Sequence, residues 1–364
     1  MSWLLVFLGF SLLIVLHEGG HFLAAKATGM RVERFFLFFG PTIWSFKRGE
    51  TEYGVKAIPL GGYVKISGMS PEEELPPEVE RRAYCRQPVW KRIVVIGAGP
   101  AVNIALAFVI LFYVAFGYPQ FDNTIGSVRA GSPAAAAGLQ PGDRLVSVDG
   151  RSLSGVDTER RLLRFGHLIS AHKCPQKEPS RGCRATTPVE LGIQQRGRIR
   201  EITTYPAYDP AAKRTLVGIE YGTTPSATTS AGAISFAWDK MWLVASGTFH
   251  VFSHIFEAEQ RKQISGVVGI SDVGHQTVDL GVYPSLLLLA LVSLSLGLIN
   301  LLPILPLDGG HIFWSLVEKL RGEPVSLQVM ERASIIGFAL VAMLFFIGLN
   351  NDIGRLTGEG LNVR

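Results

Sequence analysis

The chain has 364 residues, 48% of them hydrophobic and 18% charged, and its mean hydropathy is +0.27. So apolar a balance excludes an ordinary soluble globule and indicates a polytopic membrane protein, with the lipid bilayer as its solvent. The formal net charge of +5 is read as membrane topology and not as nucleic-acid binding, because the Lys and Arg residues collect beside apolar segments.

Residues 1–30 form the first predicted transmembrane helix. Its apolar run, Trp3 to Ala25, is interrupted only within LIVLHEGGHFLAA. On a helix, His17 and His21 share a face and Glu18 lies beside them, which fits two imidazole ligands to Zn2+ and a general base for a metal-activated water. HExxH alone is short enough to recur by chance as two polar positions beside a structural histidine. Ionisable side chains inside a span are costly, however, and mark function by default. No basic stretch precedes the apolar run and no small-residue cleavage site follows it, so we expect no signal-peptide cleavage here.

Residues 31–92 read as a β-hairpin region followed by a loop. Val32 to Ser67 alternates apolar and polar residues, with turn signals at Gly40-Pro41, Arg48-Gly49 and Gly61-Gly62, as short strands do. FFLFFGPTIWSF and AIPLGGYV are too apolar for an ordinary loop, so this is either a hairpin dipping into the membrane beside the site or a surface hairpin. Residues 70–82, rich in Pro and Glu, read as a flexible loop. Eleven Lys and Arg residues between Arg31 and Arg92 place this region in the cytoplasm by the positive-inside rule. Residues 93–117 are the second span, with no charged residue from Ile93 to Phe116.

That topology puts residues 118–281 outside. The stretch IGSVRAGSPAAAAGLQPGDRLVSVDGRSL, with its Ser132-Pro133 helix start, Gly138-Leu139, Gly142-Asp143 and Asp149-Gly150, resembles a circularly permuted bacterial PDZ (α+β) domain. We assign it to 118–210. The resemblance implies either peptide capture on a sheet edge or a module that restricts access. An insertion at 162–188, basic and cysteine-bearing, departs from the pattern where the usual helix and groove would be. Cys174 and Cys183 could pair in an oxidising compartment, whereas Cys85 falls in the reducing one.

Residues 211–281 are read as a linker with an amphipathic surface helix, apolar through Phe236, Trp238, Trp242 and Phe256 but interrupted by Asp239, Lys240, His250 and His254. Parity supports this: were it a span, the next helix would carry Asp308 to the side opposite His17. His250 and His254 repeat the four-residue spacing, but no glutamate follows His250, and we expect no metal there. Residues 282–307 form the third span and 333–351 the fourth, separated by a cytoplasmic loop, 308–332, and followed by a tail, 352–364. The third span leads into LPILPLDGGH, where Pro303 and Pro306 break the helix and can present the Asp308 carboxylate at the depth of His21. Alone, that motif is a helix-terminating turn; with HEGGH it is the missing third ligand of a site that keeps one position open for water.

Taken together, HEGGH at 17–21, PLGGY at 59–63, GPAVN at 99–103, SGVVGI at 265–270 and the segment from Asn300 to Gly310 resemble the site-2 protease family of intramembrane zinc metalloproteases, specifically its RseP-like group with a PDZ domain. Here there is a single PDZ in place of a tandem pair. The resemblance implies four transmembrane helices, zinc on His17, His21 and Asp308, Glu18 as catalytic base, and substrate held by Asn300 and by the Gly61-Gly62 hairpin. His311 is a rival ligand of lower standing. The implied substrates are transmembrane proteins in regulated intramembrane proteolysis, such as an anti-sigma factor, or remnant signal peptides, cut in the cell membrane with no nucleic acid involved. A catalytically inactive PDZ membrane scaffold and a metal transporter are the alternatives; the spans show no polar route beyond Asn103 and Asn300, which a transporter would need.

Overall fold

The structure is a computed structural model and describes residues 2–69, 73–152, 158–176, 179–195, 197–255, 257–261 and 264–357. The chain divides into two compact units, Met1–Phe116 with Thr229–Arg364, and Gly117–Thr228.

In the first unit, α1 (Ser2–Ala27) has His17, Glu18, His21 and Lys26 as its only ionisable side chains. At 1.5 Å per residue it rises about 39 Å, more than the roughly 30 Å of a bilayer's hydrocarbon core. β1 (Val32–Arg48) and β2 (Thr51–Ile66) follow as one antiparallel hairpin. They are two long bent strands and not several short ones. Arg34 to Leu37 pair on both edges, with Gly62 to Lys65 on one side and Glu52 to Val55 on the other. Gly40, Gly49 and Gly61, the expected turn positions, all have positive φ. Below the hairpin, Ala25, Met30, Val32, Ile66, Val95 and Ile96 form a buried cluster that joins it to α1 and to α3 (Val89–Val114).

The loop expected to be flexible is largely tied down, because its glutamates meet the cations around it. Glu73 accepts from the Gly68 amide at 2.7 Å and pairs with Lys65. α2 (Pro77–Glu80) follows, and Arg82 makes a two-pronged contact with Glu50, which also binds Lys26. Residues 70–72 of this loop lie outside the described residues.

The second unit contains β3 (Pro119–Val128), α4 (Pro133–Ala136), β4 (Arg144–Val148), β5 (Arg151–Ser152), α5 (Thr158–Ala171), β6 (Val189–Gln195), β7 (Arg198–Thr204), β8 (Ala207–Asp209), β9 (Arg214–Leu216) and β10 (Ile219–Pro225). The antiparallel sheet runs β10-β3-β4-β6-β7, and β5 pairs with β4. Ile125, Leu145, Leu191 and Ile193 from the sheet pack on Leu162, Phe165 and Ile169 of α5, so the apolar positions of that helix, three and four apart, face one core. Two expectations are corrected. The unit extends to Thr228 and does not end near 210. Residues 162–171, assigned to the insertion, complete α5. A disulfide joins Cys174 to Cys183, Cα atoms 6.0 Å apart, and Cys85 is free. The charge reading is also corrected: this unit holds 15 Lys and Arg against 10 Asp and Glu, so the net +5 of the chain resides here.

The rest of the first unit is more helical than a linker. α6 (Ser230–Ser253) is capped by the Thr229 hydroxyl. It buries Ala233, Phe236 and Ala237, packs against α3, and exposes Trp238, Trp242 and Phe249. Phe256 lies outside the described residues. α7 (Ala258–Arg261) and α8 (Val267–Leu280) come next, then α9 (Val282–Asn300), which also receives α6. That third span ends at Asn300 and not at Leu307. The turn 301–307 holds Pro303 and Pro306, which have no N–H to continue a helix. α10 (Asp308–Arg321) and α11 (Leu327–Leu356) complete the fold, so the expected loop 308–332 is mostly helix and the fourth helix outruns 333–351. Of the tail, residues 358–364 lie outside the described residues. α1, α3, α9 and α11 are the four described helices long and apolar enough to cross a membrane.

Asp352, fully buried near the end of α11, accepts from the amides of Gly266 at 3.1 Å and Gly269 at 2.7 Å. It thereby caps the amino terminus of α8, where helical amides lack intrahelical partners. Asp352→Ala is expected to cost about 1–3 kcal/mol, the penalty for unsatisfied buried donors; an unchanged melting temperature in detergent would refute the cap. The Arg82 guanidinium beside Glu50 holds that carboxyl well down, at about 2 against an ordinary 4.5. The contribution of Glu50 is therefore complete above pH 4.5 and lost as pH falls from there towards 2. Thermal melts across that window should show a smaller acid loss in Glu50→Gln than in wild type.

Candidate metal centre

Helix geometry puts His17 and His21 one turn apart on one face of α1, their Nε2 atoms 3.3 Å apart. Both are buried. Asp308, the first residue of α10, brings its Oδ2 to 3.2 Å from His17 Nε2 and 3.4 Å from His21 Nε2. Among the described residues these three form the one group able to hold a metal, with ligand atoms all within 4.8 Å of one another. Asp308 Oδ2 is buried without a hydrogen-bond partner, although two imidazoles adjoin it. Two borderline nitrogen donors and an orphaned carboxylate oxygen aimed at one point are the donor set that zinc takes in catalytic sites.

The surrounding helices fix these side chains. His21 Nδ1 lies 2.9 Å from the Val95 carbonyl of α3, so Nδ1 carries the proton and Nε2 presents its lone pair to the centre. α3 approaches closely because Gly99 faces both rings: a Cβ there would overlap His21 and lie 2.9 Å from His17 Cε1. On the other side, Arg92 of α3 holds Glu318 of α10 through two hydrogen bonds, 2.9 and 2.5 Å, latching the helix that begins with Asp308.

A cavity of about 480 Å³ opens at the centre, lined by Glu18, Gly61, Gly62, Asn300, Asp308 and His311 among others. Every residue that the sequence singles out for the site therefore reaches one place. Gly62 lies against Glu18, whose Cγ would be 3.1 Å from a Cβ added there. His311 lines the cavity but is outside the three-residue group. His250 and His254 lie side by side with tilted rings, centroids 4.4 Å apart, and gather no third ligand among the described residues. Sequence reasoning gave no role to the Val95 carbonyl or to Asn103, whose amide lies 3.3 Å from His17 Nδ1. Asn103 was visible as a polar residue in an otherwise apolar span.

Residues 5–344 match peptidase family M50. Zinc metalloprotease Rip1 of Mycobacterium tuberculosis is 34% identical over 342 residues, covering 85% of this chain and 83% of that protein. Rip1 of Mycolicibacterium smegmatis is 31% identical over 375 residues, 89% and 87% respectively. A Rhizobium meliloti protein is 31% identical over 380 residues, 96% and 95%. The chain belongs to peptidase family M50, the site-2 protease family, and is a zinc metalloprotease.

Proposed function

We propose that the protein hydrolyses peptide bonds within or near transmembrane segments of membrane proteins, with zinc held by His17, His21 and Asp308. The observation that carries this is the convergence within 4.8 Å of ligand atoms from His17 and His21 on α1, a helix long and apolar enough to span a membrane, and from Asp308 at the start of α10. When bound, zinc lowers the pKa of a water and polarises the scissile carbonyl. Glu18, on the cavity wall beside the ligands, takes the proton of the attacking water and returns it to the leaving amine. Asn300 and the Gly61-Gly62 bend, on the same wall, hold the substrate strand.

The substrate is a membrane helix that must unwind first, since helical carbonyls are occupied by hydrogen bonds. Regulated cleavage of an anti-sigma factor or removal of signal-peptide remnants fits this chemistry. We assign the second unit as a PDZ-type module outside the cell membrane. Its sheet, the Ser132-capped turn at α4 and the core helix α5 support the module, and its disulfide supports the compartment. The hairpin between α1 and α3 then lies at the cytoplasmic side, consistent with its Lys and Arg content.

Zinc content and peptidase activity of the detergent-purified chain test the assignment together. Wild type should carry one zinc, Asp308→Ala should lose it, and Glu18→Gln should keep it while losing activity by about 10²–10⁴-fold, the usual weight of a general base. Full activity in Glu18→Gln would discard the proposed chemistry. Substrates with Gly or Pro introduced near the cleavage site should be cut faster than their all-leucine counterparts, and equal rates would rule out an unwinding step.

A further inference from the structure

We propose that Asn103 is the positioning residue for His17, its side-chain oxygen accepting the Nδ1 proton so that Nε2 is presented to the metal. The inference rests on the ligand set proposed above.

An imidazole that ligates through Nε2 carries its proton on Nδ1, and a buried N–H needs an acceptor. For His21 the acceptor is the Val95 carbonyl. For His17 the group facing Nδ1 is the side-chain amide of Asn103, at 3.3 Å. Asn103 is fully buried, so this amide is shielded from bulk solvent. Nδ2 is the atom towards the ring, while Oδ1 is buried with no partner. In that orientation the amide donates to Nδ1, which would leave the His17 proton on Nε2 and deny its lone pair to a metal. A half-turn of the amide exchanges oxygen for nitrogen within almost the same shape. The proton then sits on Nδ1, held by Oδ1, and the Nε2 lone pair is free. One side chain thus serves both tautomers.

The side chain has no competing structural task. α9 is fastened here through the main chain: the Ser293 hydroxyl donates to the Asn103 carbonyl at 2.9 Å, and Gly297 lets α9 close on Pro100 and on Asn103 Cβ. A leucine would keep both contacts and would avoid burying an amide among apolar helices, which is costly without full hydrogen bonding. Among the described residues, only the contact with His17 uses the amide itself.

The test is zinc affinity of the full-length chain by chelator competition, with the absorption spectrum of the cobalt-substituted form and the melting temperature of the metal-free form read on the same samples. Asn103→Leu should weaken zinc binding by about 10–100-fold, the usual weight of an orienting partner, and shift the cobalt spectrum while the metal-free melting temperature holds. Asn103→Asp, which keeps an acceptor, should restore affinity. Wild-type affinity in Asn103→Leu, or an aspartate variant as weak as the leucine one, overturns the proposal. Asn103→Ala serves the same comparison should the leucine variant not fold. His17→Ala separates the two levels: if it binds zinc like wild type, the ligand set itself is wrong, whereas its loss of zinc beside an unaffected Asn103→Leu removes only the role of Asn103.

Discussion

The helical unit is organised around holding two imidazoles and a carboxylate together in a largely apolar interior. An unpaired carboxylate in an apolar interior costs several kcal/mol, and Asp308 Oδ2 is buried without a donor. A divalent cation between the three groups offsets that cost. The fold meets this constraint with close packing: Gly99 makes room for both rings, the break after Asn300 brings Asp308 to them, and the Arg92–Glu318 pair latches α10 to α3. These devices are spread over α3, the end of α9 and α10, so the site depends on several helices at once. Neither HEGGH nor LDGG could form it alone.

The same constraint explains why irregular backbone surrounds the cavity. In a bilayer, peptide groups outside helices are tolerated only where protein or a water-lined space satisfies them. The bend at Gly61-Gly62 and the segment ending in Pro306 and Leu307 both border the cavity, where the proposed chemistry needs a substrate strand and water. Access and chemistry thereby share the same wall. The contact between Gly62 and Glu18 joins the surface that would hold a strand to the residue that would move its proton.

Much of this was legible in the sequence because it is written in side chains with fixed spacing. His17 and His21 one turn apart in an apolar run declare a helix face, and uncharged stretches declare spans. Asp308 is legible because the third span runs in the same direction as the first and returns an acidic side chain to the same depth. What escaped notice has no side-chain signature: the Val95 carbonyl, the room left by Gly99, and the end of α9 at Asn300 before an apolar stretch that continues as a turn. Residues 162–171 read as part of an insertion because the stretch is basic and runs on to the cysteines, whereas the spacing of Leu162, Phe165 and Ile169 is explained only by the sheet beneath them. Asn103 was seen but given no role, since its partner lies on another helix.

Charge gives the clearest case of a right quantity and a wrong one. Net charge follows the balance of both signs, and in this chain the surplus of +5 falls in the second unit. Read as topology, that surplus would draw the second unit inside. Membrane orientation, however, depends on Lys and Arg near the ends of spans, to which Asp and Glu contribute little. The region between α1 and α3 is rich in both signs, and its carboxylates are spent on its own cations, as in Lys26–Glu50–Arg82 and Glu33–Lys65–Glu73. Those pairs lower its net charge without lowering its count of Lys and Arg. The disulfide at Cys174–Cys183 is independent of charge and favours an oxidising compartment for the second unit. The proposed sidedness therefore rests on cation count and redox chemistry, which agree, and the misplaced surplus of charge does not bear against it.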